Sequence, residues 1–319
     1  MGAFVFLLCL AMLKSGWALI LNPHAKGGRA NELGQDLFKA LDKQGIDYKL
    51  YLTKVAGGGE LSARQCIDDG YRNILIAGGD GSVYDVINGL FLHPLYDVAL
   101  YKLAIFPIGT GNDFARFTKL PESAEDFVAA LKIARTDFFD VGEIERENEP
   151  LRYFLNVAGF GFDAQVAARA NLFKQRGYSG QITYLWALLT TLFKYRELDY
   201  TIETDDTSFR ASVFTLLVGN GSHAGNGMRL IPDASPQDGF FHVTCVTKIS
   251  RWKVVVNVHR IFSGTFKHFK EVRTYKTKAL RIIPHGKSLM QLDGEVLQGG
   301  ALKIRIAPRA VKLLISSPA

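Results

Sequence analysis

Cysteine is scarce. Cys9, Cys66 and Cys245 are odd in number and far apart, which excludes a disulfide framework and a metal knuckle and suits a reducing cytosol. The seven histidines fall into no His-Glu-x-x-His pair or other metal-binding spacing, so they read as surface or core residues. A Gly-x-Ser-x-Gly elbow and a Gly-x-x-x-x-Gly-Lys loop are both missing. That removes a serine-hydrolase nucleophile and the P-loop mode of phosphate binding. Without an aromatic RNP-type strand or a zinc finger, no nucleic-acid module is signalled. Long apolar runs are absent too. Ala3–Leu13 and Ile182–Phe193 are apolar but fall short of the roughly 20 residues that span a bilayer. The first lacks the basic flank and the cleavage site of a signal peptide, and Phe6 breaks the myristoylation pattern. Residues 1–16 therefore read as an N-terminal extension. Residues 1–11 read as an upstream start-site extension ahead of Met12, with a weak membrane anchor as the alternative.

Apolar residues make up 48% of the 319 and charged residues 22%, enough to bury a core in one large domain or two ordinary ones. The formal charge of +7 points to an anionic partner: a membrane surface, nucleic acid or a nucleotide. Basic charge is concentrated late. Between Lys248 and Lys287 stand eleven Lys/Arg and one acid, Glu271. This is either a solvated surface or a dock for anionic lipid headgroups.

Strands and helices alternate through the first part of the chain. Trp17–Leu21, Tyr48–Leu52, Ile74–Ala77 and Leu103–Phe106 read as strands. Helical stripes follow at Leu33–Leu41, Glu60–Asp69, Val83–Leu90 and Ala124–Ala134. The pattern predicts a parallel α/β sheet, and such sheets bind ligands beyond the carboxyl ends of their strands. Four turns point there: Asn22–Gly28, Thr53–Gly59, Gly78–Ser82 and Pro107–Asp113. At Gly78-Gly79-Asp80-Gly81-Ser82 the glycines permit positive φ and close backbone approach. Ser82 is placed to cap the next helix, Asn88-Gly89 to end it, and the helix start to receive phosphate. Asp80 does not help an anion site. It suits a metal ion or a hydroxyl proton.

From Leu151 onward β-like segments dominate: Tyr153–Ala158, Asp199–Glu203, Ala211–Leu217, Phe240–Val246, Lys278–Ile283, Met290–Leu292 and Ala301–Ala307. Helices interrupt at Ile182–Tyr195 and Trp252–Phe262. The expected division is an α/β nucleotide-binding domain over 17–139 and a β-sandwich over 140–307. The last strand, Val311–Ser316, belongs to either, so that 308–319 can complete the first domain. Three polar landmarks mark the second domain: Asn156–Asp163, Gly219–Gly227 with Ile231–Gly239, and Gln291–Glu295. Asp-Gly pairs are hairpin turns by default. Asp293-Gly294-Glu295 also puts two carboxylates on one tight turn, which suits a general base and its neighbour.

Gly78-Gly-Asp-Gly-Ser82, Ile87-Asn-Gly-Leu90, Pro107-Ile-Gly-Thr-Gly-Asn-Asp-Phe-Ala-Arg116, Leu21-Asn-Pro-His-Ala-Lys-Gly-Gly28, Asp238-Gly and Asp293-Gly-Glu295 together resemble the diacylglycerol kinase catalytic domain family. The bacterial lipid kinases akin to sphingosine and ceramide kinases are the nearer likeness. The resemblance runs from Trp17 to the C-terminus. It implies ATP- and Mg2+-dependent phosphorylation of a lipid hydroxyl, in a cleft between an α/β domain and a β-sandwich, by a cytoplasmic protein peripheral to the inner membrane face. Anionic headgroups and a homodimeric partner go with that reading. By motif, Asn22, Thr53, Gly78, Gly79, Asp80, Gly81, Ser82, Val83, Tyr84, Thr110 and Asn112 would hold ATP. Asp80 and Asp113 would organise phosphate and metal. Asp238, with the backbone of Ser235 and Phe240, would hold a structural Mg2+. Asp293 or Glu295 would be the base. Ser82 stands where Thr is usual, Tyr84-Asp85 where Asn-Glu is common, and Ala224–Gly227 loosens a triple-glycine turn. A kinase of a soluble sugar or nucleotide and a non-catalytic lipid-binding module are the alternative classes.

Overall fold

The computed structural model describes residues 14–23, 30–53, 57–178 and 180–316. The extension ahead of residue 14 and the basic turn Lys26–Arg29 lie outside the described residues. The chain divides into two compact units. One runs up to Phe138 and takes back the segment from Val311. The other is Phe139–Ala310.

The first unit is a parallel sheet with helical crossovers. In chain order it holds β1 (Lys14–Leu21), α1 (Ala30–Lys43), β2 (Tyr48–Leu52), α2 (Gly58–Asp68), β3 (Tyr71–Gly78), α3 (Asp80–Phe91), β4 (Lys102–Pro107) and α4 (Ala124–Ile133). The strand order is β2-β1-β3-β4, all parallel. Ala18–Leu21 and Ile74–Ala77 are buried without alternation, as expected of strands covered on both faces. Leu37 and Leu41 of α1 and Phe127, Val128 and Leu131 of α4 close one side of this core.

Helix α3 departs from its sequence reading at both ends. Its N-cap is Gly79, and no side chain caps it. Ser82 lies inside the first turn, where its hydroxyl accepts a 3.3 Å bond from Asn22 Nδ2. Asn88-Gly89 does not end the helix, which continues to Phe91. Asn88 is buried and donates to the Tyr84 carbonyl at 2.9 Å. Gly89 is small because α2 presses on it. A Cβ there would sit 2.3 Å from the Glu60 carbonyl oxygen and 2.8 Å from Ala63 Cβ.

The second unit is an antiparallel β-sandwich with helical insertions. It contains most of β5 (Arg135–Arg146), then β6 (Arg152–Phe154), β7 (Val157–Gly161), α5 (Phe162–Gln175), α6 (Gln181–Leu192), β8 (Leu198–Thr204), β9 (Ser208–Gly219) and β10 (Phe241–Thr247). There follow α7 (Arg251–Val256), α8 (Arg260–Ser263), β11 (Val272–Thr277), β12 (Ala279–Pro284), β13 (Leu289–Leu292), β14 (Glu295–Gln298) and β15 (Leu302–Ile315). Strand β9 is the hub. Its first half pairs with β8 and its second with β7 and β10.

Four expectations change here. Tyr153–Ala158 is two strands, broken at Leu155 and Asn156. Trp252–Phe262 is two short helices, not one. Helix α5 and strands β5, β11 and β14 had no counterpart in the sequence reading. Ala301–Ala307 and Val311–Ser316 form one strand, β15. Its early residues pair with β12, and Leu313 pairs in parallel with Leu103 of β4.

Candidate active site

In the first unit the turns after β1, β2, β3 and β4 are tied together. Asn22 N–H donates to the Ala77 carbonyl at 3.2 Å, Thr53 N–H to Leu21 at 3.0 Å, and Ile108 N–H to Gly78 at 3.0 Å. The glycines of two turns meet backbone to backbone. A Cβ on Gly109 would lie 2.4 Å from Gly79 Cα, and one on Gly78 would lie 2.4 Å from Ser82 Oγ. Neither Gly78 nor Gly79 has positive φ. Close approach, not left-handed backbone, requires glycine here.

This packing shapes a backbone-lined surface at the start of α3. The first N–H groups of a helix have no intrahelical partner and favour an anion. Val83 lies past that point. It donates to Gly79 O at 3.1 Å, and the side chains of Val83 and Tyr84 are buried in the helix packing. Thr110 is exposed on the facing turn. Asn112 takes φ 51°, and its Nδ2 donates to Gly109 O at 2.9 Å. Asn112 Oδ1 is buried with no hydrogen-bond partner, an open acceptor at the turn. Asp80 Oδ1 accepts the Phe114 N–H at 3.2 Å, which brings Asp80 to the Asp113 segment. Asp113 is buried, with Arg116 Nε 3.7 Å from its Oδ1. Among the described residues no three His, Cys, Asp or Glu side chains form a ready-made metal cluster. A Mg2+ that arrives with nucleotide phosphates does not need one, because it keeps waters and takes one or two carboxylates.

In the second unit the three polar landmarks converge. Asp293 and Gly294 are the two-residue loop between β13 and β14, with φ of 50° and 93°, the pattern of a type I′ hairpin. The Asp293 carboxylate accepts the N–H groups of Leu155 (2.8 Å), Asn156 (2.9 Å) and Val157 (2.9 Å). These bonds take Leu155 and Asn156 out of the ladder, which is why the predicted strand is split. Asn156 Nδ2 donates to the His223 carbonyl at 2.6 Å, and Asn220 N–H to the Asn156 carbonyl at 2.9 Å.

The same hairpin is held from helix α5. Gly294 N–H donates to Gln291 Oε1 at 2.7 Å, and Gln291 Nε2 donates to Asp163 Oδ2 at 2.9 Å. Asn171 Nδ2 donates to the Gly294 carbonyl at 3.1 Å. Gly159 leaves the space, since a Cβ there would be 1.8 Å from Asp163 Oδ2. Burial raises the Asp163 pKa to about 6, with the Gln291 bond partly opposing. Glu295, the first residue of β14, is exposed beside this pinned turn. Asp163 and Gln291 stood in the sequence landmarks without a role. Asn171 was not singled out, because helix α5 itself was not anticipated from the sequence.

Asp238, on the loop before β10, has its own set of partners. Its Oδ1 accepts the Phe240 N–H at 3.1 Å. Its Oδ2 lies 2.9 Å from His242 Nε2 and 3.1 Å from Lys276 Nζ. Ser235 O accepts the Asp238 N–H at 3.4 Å.

The second unit also has a partly open cavity of about 110 Å3. Phe162, Val166, Leu188, Phe214, Met228 and Ile261 contribute to its apolar lining, and Asp163 and Thr215 are polar members. Elsewhere on this unit, Ile182 and Trp186 of α6 and Trp252 of α7 are exposed. Trp252 packs edge-on against Phe193 with ring centroids 6.1 Å apart. Among the described residues no helix is long and apolar enough to cross a membrane.

Comparison with known proteins agrees with both halves. Residues 16–144 match the diacylglycerol kinase catalytic domain, and residues 156–315 match the YegS C-terminal NAD kinase beta sandwich-like domain. A diacylglycerol kinase of Mycobacterium tuberculosis is 29% identical over 304 residues, covering 92% of this chain and 93% of the relative. One from Staphylococcus carnosus is 26% identical over 277 residues, covering 84% and 87%. A crystal structure of a diacylglycerol kinase from Bacillus anthracis str. Sterne shares the fold, with a TM-score of 0.70 at 19% identity over 95% of this chain and 97% of that one. With an N-terminal kinase domain and a C-terminal sandwich both matched along their lengths, the chain belongs to the diacylglycerol kinase-like lipid kinase family, whose members are phosphotransferases acting on an alcohol acceptor.

Proposed function

We propose that the protein transfers the γ-phosphate of MgATP to the hydroxyl of a membrane lipid, diacylglycerol or a relative of it. The observation that carries a lipid acceptor is the apolar cavity of the second unit, whose lining suits a short stretch of acyl chain and offers few partners to the hydroxyls of a soluble sugar.

Phosphoryl transfer asks the protein for positioning and charge neutralisation more than covalent chemistry. The amides at the start of α3 and the Gly79–Gly109 approach are where the nucleotide phosphates bind. Asn22, Thr53, Ser82, Thr110 and Asn112 border them. Asp80 and Asp113 are hard oxygen donors and fit a Mg2+ carried by ATP, which neutralises phosphate charge. Glu295 is the base. It accepts the lipid hydroxyl's proton as the oxygen bonds to phosphorus. Asp293 is a poor candidate for that task, because its carboxylate is already committed to three backbone amides. It holds the turn on which Glu295 stands.

The protein docks on an anionic membrane face through the exposed side chains of α6 and α7. Of the eleven basic residues in the late stretch, Arg251, Lys253, Lys267, Lys276 and Arg281 are engaged with acids. Lys248, Lys270 and Arg273 are exposed and suit anionic headgroups.

A radiolabelled-ATP assay over a lipid panel in mixed micelles tests the reading. Phosphorylation of a lipid is expected, and it is expected to disappear in Asp80→Ala. Turnover of a water-soluble hydroxyl without detergent, with none on any lipid, would overturn it.

A further inference from the structure

The motif resemblance assigns a structural Mg2+ to Asp238 and the backbone of Ser235 and Phe240. The residues present do not fit that ion. Both carboxylates of the 231–239 loop are already taken by ammonium groups. Lys267 Nζ lies 2.7 Å from one oxygen of Asp233 and 2.9 Å from the other. Lys276 Nζ lies 3.1 Å from Asp238 Oδ2. The other oxygen of Asp238 accepts a backbone amide.

The arrangement is built into the sheet register. Strands β10 and β11 pair so that His242 stands directly opposite Lys276, and both side chains therefore leave the same face. His242 is four residues beyond Asp238 and reaches the same oxygen as Lys276. The Lys276 ammonium also rests over the Phe240 ring, 4.3 Å from its centroid, with Lys278 Nζ 5.1 Å from it. A divalent cation at ligand distance from Asp238 would lie within a few ångströms of that ammonium, where like charges repel strongly. The turn is further held by Asp140, whose Oδ2 accepts the Gly239 N–H at 2.7 Å and whose Oδ1 accepts the Arg309 N–H at 2.8 Å.

We infer that this chain closes its Asp238 turn with its own Lys276 ammonium in place of a divalent metal. Any Mg2+ requirement of the protein then enters with the nucleotide alone. The inference does not depend on which lipid is phosphorylated, or on phosphorylation at all.

The test is thermal unfolding of the nucleotide-free protein in EDTA and in millimolar MgCl2, with metal content measured after dialysis. A folded-state metal site held near 100-fold its Kd would raise the melting temperature by about 5 °C or more. Wild type is expected to melt at the same temperature in both buffers and to retain no stoichiometric metal. Lys276→Gln is expected to melt about 2 °C lower in EDTA and to recover in MgCl2, because the freed carboxylate becomes available. A wild-type response to MgCl2 that Asp238→Asn abolishes would overturn the inference. A response that Asp238→Asn retains arises elsewhere and leaves it standing. Lys276→Gln melting like wild type in EDTA would also overturn it, because the ammonium would then not be holding the turn.

Discussion

Asn156 donates its backbone N–H to the Asp293 carboxylate at 2.9 Å, and Leu155 and Val157 donate to the same group. One carboxylate therefore organises three consecutive amides between β6 and β7, and its neighbour Glu295 is left exposed. The two acids of the turn should fail differently. Asp293→Ala strands amides that are otherwise satisfied and should cost about 2–4 kcal/mol, read from urea unfolding. Glu295→Gln should leave stability within about 0.5 kcal/mol of wild type and lower lipid phosphorylation by roughly 10²–10⁴-fold. Near-full activity in Glu295→Gln would return the role of base to another group.

Gly79 and Gly109 make a second test. The atom that a Gly109 Cβ would strike is the Cα of Gly79, 2.4 Å away, and backbone cannot rotate aside as a side chain can. Gly109→Ala should push the two turns apart and cost about 1–3 kcal/mol of stability. Calorimetric binding of MgATP should weaken by about tenfold or more, since donors at a phosphate site lose effect when displaced. Unchanged MgATP affinity would remove these turns from the nucleotide site.

Much of the first unit was legible because it is written in local signals. Apolar runs mark β1, β3 and β4, and glycine turns follow the strands. Tyr48–Leu52 is a strand at the bounds its residues suggest. The reasons behind single residues were less readable. Gly89 and Gly109 are glycine because α2 and Gly79 crowd them, and a neighbour distant in sequence leaves no local trace. Helix α5 was invisible for a related cause. Its buried face mixes Phe162 and Val166 with Asp163, Ala164, Ala167 and Ala170, so large apolar residues are too few to mark a stripe. In the second unit the landmarks at Asn156, Gly219 and Gln291 were visible singly. Their meeting depends on β-pairings between residues 54 to 134 apart in the chain. Asp293 and Glu295 also needed structure to be told apart, because only hydrogen bonding separates two carboxylates on one turn.

Asp163 predicts a pH dependence of opposite sign to that of an ordinary paired acid. Burial raises its pKa from 3.8 to about 6, against a partly compensating bond from Gln291. Between those values the native state holds a proton that the unfolded chain has released. Stability then falls as pH rises through that window, by about 3 kcal/mol in all. Asp163→Asn keeps the shape and removes the titration. Relative to wild type, the variant should gain stability between pH 4 and pH 7, read from urea midpoints at both values. A difference between variant and wild type that stays constant across that range would show that Asp163 does not titrate there.

Trp186 and Trp252 decide whether α6 and α7 form the docking face. They are 60% and 70% exposed, so neither holds the core and both are available to an interface. Large apolar side chains transferred from water into a bilayer contribute roughly 1.5–3 kcal/mol each. Trp186→Ser and Trp252→Ser should each reduce co-sedimentation with vesicles rich in anionic lipid by about tenfold. Melting temperature and MgATP affinity should stay at wild-type values, since neither residue is buried or lies in the first unit. Phosphorylation of a short-chain lipid presented in detergent should survive in both variants, because docking is bypassed there. If vesicle binding persists while detergent activity collapses, these tryptophans serve the acceptor directly and the membrane face lies elsewhere.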